Sequence, residues 1–87
     1  MKPNRFLELV ISLDDEDFLD FKSFVDSEYF NRNKNIVLLY GIVASETSRQ
    51  NLQTVTLFKK LNLYKKLSES HFRKLMSSFS DLIEIYI

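Results

Sequence analysis

Ser70, His71 and Asp81 are the residues whose types could supply a nucleophile, a base and an acid. His71 is the single histidine of the chain. Adjacent residues on a helix point in different directions, so Ser70 and His71 would not face each other. The one glycine, Gly41, provides no glycine-rich turn for an oxyanion hole. We therefore predict that the protein is not an enzyme, and that His71 is a surface residue near the start of a helix.

Carboxylates cluster in a short acidic run near residue 15. A calcium loop needs oxygen ligands around a tight glycine turn, and this run contains no glycine. With no cysteine and one histidine, the usual ligand sets for zinc are also missing. We predict neither a metal nor a cofactor. Two interpretations of the run stay open, the capping of a helix N-terminus and an acidic docking face formed by Asp15, Glu16, Asp17 and Asp20.

Basic residues form a second cluster, interleaved with aromatic residues, in the last third of the chain. A patch that binds nucleic acid shows such clustered charge. However, Phe58 and Phe72 occupy predicted core positions, which leaves Tyr64 as the free stacking candidate. The other interpretations are a solvated basic face and a surface that binds an acidic protein partner. The cluster contains Lys59, Lys60, Lys65, Lys66, Arg73 and Lys74.

The charge of the chain is segregated along the sequence. Its 87 residues carry 12 basic and 12 acidic side chains, a net charge of zero. Residues 1–29 hold three basic and eight acidic residues, a net charge of −5, whereas residues 30–87 hold nine basic and four acidic residues, a net charge of +5. If the fold keeps the halves apart, the acidic face of one molecule can meet the basic face of another. Alternatively, the halves interleave in space and cancel.

Hydrophobic periodicity predicts helices in five segments, joined by polar connectors. We expect Asp14, Thr54 and Ser68 to be helix N-caps, Pro3 to lie in the opening turn of the first helix, and Asn62 to end a helix in the left-handed conformation. Tyr29 and Phe30 are expected to pack against the core. The five segments are residues 4–13, 14–25, 36–44, 54–61 and 68–86.

The length and the hydropathy pattern set the organisation of the protein. A chain of 87 residues forms one domain, residues 1–87. We find neither a signal peptide nor an apolar run of the roughly 20 residues that span a membrane, so we expect a cytoplasmic protein without a membrane partner. The last apolar stripe continues to the final residue without a stop signal. We therefore expect this domain to be the N-terminal part of a longer protein.

Several short runs resemble the N-terminal domains of a family of uncharacterised bacterial proteins. Those domains have a Phe-rich helix, a Ser-x-Tyr-Phe-Asn-x-Asn-Lys connector, a Leu-Phe-Lys-Lys-Leu run, and a helix that contains Arg-Lys-Leu-Met-Ser. The matching runs here are residues 21–24, 27–34, 57–61 and 73–77. The resemblance implies a bacterial protein with a helical N-terminal domain, and it carries no activity.

The chain is also similar, more weakly, to the death-fold superfamily, above all to death-effector-like domains. The likeness rests on size, helix order, the acidic second helix and Asp81-Leu82 in the last helix. Phe79 stands where that family has an arginine, so the family's charged triad is not matched. The resemblance implies a six-helix antiparallel bundle, no catalysis, and like-with-like assembly through asymmetric faces. A sixth helix would have to form near residues 27–31 or 63–66.

We conclude that the sequence predicts a compact, antiparallel, death-fold-like all-α bundle of five to six helices. We expect a non-enzymatic adaptor that binds a protein partner, including another copy of itself. One alternative is a nucleic-acid-binding bundle that uses the basic face from Lys59 to Lys74, and another is a structural cap on a helical-repeat protein. The predicted contact residues are Asp15, Glu16, Asp17, Asp20, Lys59, Lys60, Lys65, Lys66 and Lys74.

Overall fold

The computed structural model of the chain describes residues 4–46 and 51–87, which fold into five α-helices and no strand. The fold measures 27 × 27 × 24 Å along its principal axes. The predicted all-α bundle is thus confirmed with five helices in the described part of the chain, whereas Pro3 lies outside it. The helices are α1 (Arg5–Ser12), α2 (Asp15–Asp26), α3 (Lys34–Ser45), α4 (Thr54–Tyr64) and α5 (Glu69–Tyr86).

Two of the predicted N-caps are confirmed by their hydrogen bonds. The backbone N–H of Asp17 donates to Asp14 Oδ1 at 2.7 Å, and the N–H of His71 donates to Ser68 Oγ at 3.2 Å. Each side chain satisfies one of the backbone donors that a helix leaves without an internal partner. The starts of α2 and α5 are therefore fixed by local sequence.

The predicted boundaries of α4 were wrong at both ends. Gln53, not Thr54, is the N-cap, and no side-chain hydrogen bond caps this helix. The helix also continues past Asn62 to Tyr64, and no described non-glycine residue has a positive φ. Asn62 acts through its side chain instead, because its amide donates to the Phe58 carbonyl at 2.8 Å and accepts from the N–H of Leu67 at 2.9 Å.

The core is built around Phe79 of α5. Its ring is fully buried and makes edge-to-face contacts with Phe6 of α1 at 5.3 Å and with Phe21 of α2 at 5.5 Å between ring centroids. Such geometry places the positive edge of one ring against the negative face of the next. The stripe predicted for the last helix is confirmed, since its apolar residues contact α1, α2 and α3.

Helix α3 packs between α2 and α4. Leu39 and Val43 are fully buried, and the Tyr40 hydroxyl donates to the Phe18 carbonyl at 2.7 Å. This bond satisfies the polar end of a ring that is stacked on Phe18 at 4.6 Å. The helix predicted over residues 36–44 is confirmed, and one side of it, which includes Val37, is open to solvent.

The connector between α2 and α3 is held by asparagine side chains. The Asn31 amide donates to the Val25 carbonyl at 2.7 Å, and Asn31 Oδ1 accepts from the N–H of Asn33 at 2.9 Å. Asn33 caps α3 by accepting from the N–H of Asn35 at 2.9 Å. The expectation that Tyr29 packs against the core was wrong, because this side chain is 87% exposed. Phe30 is also exposed in part, but its ring stacks on Phe24 at 4.5 Å.

Within residues 4–46 and 51–87, every helix is too short or too polar to cross a membrane.

Candidate functional site

A groove of about 430 Å³ lies between the start of α3 and the first half of α5. Three lysines line the groove. Lys65 and Lys66 lie in the connector after α4, and Lys74 lies on α5. Polar groups come from the start of α3, and leucine side chains supply the apolar part. We call this the basic groove; it is lined by Asn33, Asn35, Lys65, Lys66, Leu67, His71, Lys74, Leu75 and Ser78.

Local structure holds the lysines of the basic groove in place. The hydrogen bond from the N–H of Leu67 to Asn62 Oδ1 closes the chain just after Lys65 and Lys66. The Ser68 cap then starts α5 directly. On α5, His71 and Lys74 are three residues apart and therefore lie on the same side of the helix. The chain thus positions four basic side chains of the groove without depending on long flexible loops.

The basic groove is electrostatically positive. Lys65, Lys66 and Lys74 are exposed, and none of them forms an ion pair with another described residue. The N-terminal turns of α3 and α5 both meet the groove, and each contributes partial positive charge through its helix dipole. Leu75 is buried beneath the charges, so the groove combines a positive rim with an aliphatic floor.

The other predicted basic contact residues lie outside the groove. Lys59 is exposed on α4. Lys60 is half-buried, and its ammonium lies 2.7 Å from Glu46 Oε1 at the end of α3. The structure therefore divides the predicted basic cluster, bringing Lys65, Lys66 and Lys74 together and engaging Lys60 in an ion pair.

Three of the four predicted acidic contact residues share the exposed side of α2. Asp15, Glu16 and Asp20 are exposed, and Leu19 among them is 68% exposed. We call these four residues the acidic face. Asp17 differs, because it is half-buried and its Oδ1 accepts a hydrogen bond from the Tyr86 hydroxyl at 3.2 Å.

The charges of the two halves of the chain partly interleave in space, since Asp26 and Glu28 line one cleft together with Arg32 and Lys34. Arg5 is a basic residue of the acidic half, and it pairs with Asp81 and Glu84, which are acidic residues of the basic half. Lys22 pairs with Asp26, and Lys60 with Glu46. Each ion pair between described residues thus contains either a basic residue of the acidic half or an acidic residue of the basic half. Lys65, Lys66, Lys74, Glu16 and Asp20 take part in none of these ion pairs.

The acidic face and the basic groove lie at opposite ends of α3. Asp15 and Leu19 line a cleft with Ala44 at the end of this helix, whereas Asn35 lines the basic groove at its start. Nine residues separate Asn35 from Ala44, which corresponds to about 14 Å along the helix axis. The two surfaces are therefore distinct.

The side chains that could supply a nucleophile, a base and an acid do not form a catalytic arrangement. His71 and Asp81 are ten residues apart on α5, or about 15 Å along its axis. Asp81 instead accepts a hydrogen bond from Arg5 Nη2 at 2.8 Å. Among the described residues, no group of three or more His, Cys, Asp or Glu side chains is placed to hold a metal ion.

Asn33, Asn35 and Ser78 were not among the predicted site residues. They reach the groove because α3 packs on α5. His71 was correctly placed near a helix start, but its position beside three lysines depends on the turn made by Asn62. No local pattern in the sequence signals this convergence.

The chain matches no protein-family model, no curated protein and no solved structure. The resemblances to a bacterial family and to the death fold therefore stay predictions.

Proposed function

We propose that this domain is a non-enzymatic protein-interaction module whose basic groove binds an acidic segment of a protein. The observation that carries the proposal is the convergence of Lys65, Lys66 and Lys74 on one groove, with no ion-pair partner among the described residues. Clustered charges of one sign attract a partner of the opposite sign and orient its approach.

Two features favour an acidic protein segment over nucleic acid. The groove is lined by no Phe, Tyr or Trp side chain, which leaves the imidazole of His71 as its single ring, and Tyr64, the stacking candidate, lies outside it. Single-stranded nucleic acid depends on such rings for much of its affinity. Leu67, which is half-buried, offers an aliphatic surface instead, and this suits a peptide that carries both carboxylates and an apolar side chain. The exposed acidic face at the other end of α3 would also repel a long polyanion.

Fluorescence anisotropy with two labelled probes tests the proposal. One probe is a synthetic peptide of glutamate and leucine, and the other is a thymidine oligonucleotide. We expect the peptide to bind at low salt. The double substitution Lys65→Glu with Lys66→Glu should weaken its binding roughly tenfold or more, because two attractive charge contacts become repulsive.

A matched control separates the groove from net charge. Lys59→Glu with Arg73→Glu changes the net charge by the same amount, but both residues lie outside the groove. This variant should bind the peptide nearly as well as the native domain. An equal loss in both variants would mean that binding follows net charge and not the groove. Tight binding of the oligonucleotide without binding of the peptide would overturn the proposal in favour of nucleic acid.

A further inference from the structure

The acidic face has the features that the basic groove accepts. Asp15, Glu16, Leu19 and Asp20 follow the spacing i, i+1, i+4 and i+5, which places them on one side of α2. Leu19 is a large apolar side chain, 68% exposed, in the middle of three carboxylates. Contact of Leu19 with a second molecule would remove its apolar surface from water, which is favourable.

The basic groove shows the complementary pattern. Its lysines surround Leu67 and Leu75, as the carboxylates of the acidic face surround Leu19. Contact between the two surfaces would pair opposite charges around an aliphatic centre, which is the usual organisation of a protein interface. The acidic face lies on one α-helix, and the groove is formed by two helices and a connector fixed by Asn62, so little ordering of the backbone is needed on contact.

The placement of the two surfaces favours contact between molecules. They lie about 14 Å apart along α3, so a molecule does not cover its own groove with its own acidic face. A contact between two different surfaces is heterologous, and it leaves a free acidic face on one molecule and a free groove on the other. Further copies can then add at both ends, each lengthening the assembly by about the 24–27 Å width of the domain.

We infer that the basic groove receives the acidic face of a second copy of this chain, so that the domain assembles head to tail. This inference rests on the proposed function and adds the identity of the partner. It requires Glu16, Leu19 and Asp20 of one copy to contact Lys65, Lys66 and Lys74 of the next.

Two complementary variants test the inference by light-scattering mass at low salt. The groove variant carries Lys65→Gln and Lys66→Gln, and it keeps the acidic face. The face variant carries Glu16→Gln and Asp20→Asn, and it keeps the groove. Each variant alone has only one competent surface and should remain a monomer. An equimolar mixture should give a species of twice the monomer mass and no larger one, because the two outer surfaces are blocked.

Neutral substitutions are used because reversed charges on both variants would create a second attractive contact in the mixture. Leu19→Ala in the groove variant should reduce dimer formation in the mixture several-fold without changing any charge. Circular dichroism confirms the helical fold of each variant; all substituted residues are exposed. A mixture that stays monomeric overturns the inference, as does a native protein whose mass stops at two copies.

The face variant also separates failure of this inference from failure of the proposed function. Its groove is intact, so it should bind the glutamate and leucine peptide. If it binds the peptide but the mixture stays monomeric, head-to-tail assembly is wrong and the groove serves another acidic partner. If it binds neither, the proposed function is wrong as well.

Discussion

The guanidinium of Arg5 lies 2.8 Å from the carboxylate of Asp81, joining α1 to α5 across 76 positions of sequence. Glu84 accepts a second hydrogen bond, from Arg5 Nε at 3.0 Å. These bonds to Asp81, then those to Glu84, raise the pKa of Arg5 above its ordinary value. Exposed pairs contribute little to stability. Their larger effect is on the surface, because they neutralise charges that would otherwise blur the contrast between the acidic face and the basic groove.

Asn62 is expected to support the basic groove without carrying charge. Asn62→Ala removes the hydrogen bonds to Phe58 and Leu67, each worth about 1 kcal/mol, which the better helix propensity of alanine offsets in part. We expect peptide binding to weaken several-fold, because the connector with Lys65 and Lys66 loosens. Anisotropy measures the affinity, and urea denaturation measures the free energy of unfolding.

A substitution elsewhere on the same helix provides the control for Asn62. Thr56 is exposed on α4 and forms no described hydrogen bond, so Thr56→Ala should leave peptide binding unchanged. Unchanged binding in Asn62→Ala would show that the connector is held by other contacts.

Tyr86 makes stability depend on pH in the alkaline range. Burial, followed by the hydrogen bond to Asp17, raises the pKa of Tyr86 above its ordinary value of about 10. The folded state therefore holds this proton more tightly than the unfolded state. Its contribution to stability is complete below pH 10 and is lost as the pH rises through the folded pKa.

The free energy of unfolding should therefore fall more steeply above about pH 10 in the native protein than in Tyr86→Phe. Urea denaturation at several pH values measures this slope. Tyr29→Phe is the control, since Tyr29 is 87% exposed and its hydroxyl forms no described hydrogen bond; it should follow the native curve. Parallel curves for the native protein and Tyr86→Phe would contradict the prediction.

Side-chain capping is expected to stabilise the N-terminus of α5 but not that of α4. Ser68→Ala removes the cap of α5 and should lower the free energy of unfolding by about 1 kcal/mol. Thr54→Ala should have little effect, because the structure shows no side-chain cap on α4. Denaturation of both variants measures the difference. Equal decreases in the free energy of unfolding would show that the Thr54 side chain caps α4.

Phe79 is expected to be the most sensitive core position. Phe79→Ala removes the ring that contacts Phe6 and Phe21, and should cost about 3–5 kcal/mol, a large part of the stability of a small domain. Phe79→Leu, a milder change, should lose less and keep the fold measurable. Ile87→Ala is the control at an exposed position, expected within about 0.5 kcal/mol of native. Calorimetry gives all three values, and a small loss in Phe79→Ala would contradict the described core.

The features that sequence predicted were those set by neighbouring residues. The caps at Asp14 and Ser68 and the apolar stripe of α5 depend on spacings within one helix. The end of α4 was missed because Asn62 is satisfied by a residue five positions ahead, through its side chain, and so needs no left-handed backbone.

The candidate site was predicted only as two groups of charges. The sequence placed all five lysines, Lys59, Lys60, Lys65, Lys66 and Lys74, in one basic cluster. It could not show that Lys60 is paired with Glu46, because this ion pair depends on the packing of α3 against α4. It likewise grouped Asp17 with the exposed acids, although Tyr86 of α5 engages this carboxylate. Exposed Leu19 was not singled out, since its exposure follows from which side of α2 faces the core.

Light-scattering mass of the native chain over a concentration series, at low and at high salt, distinguishes head-to-tail assembly from a monomeric domain. At low salt we predict a mass that rises with concentration beyond two copies. In about 1 M salt, where charges are screened beyond about 3 Å, the mass should return to that of one chain. The mass of a single chain at every concentration and in both salts would contradict head-to-tail assembly.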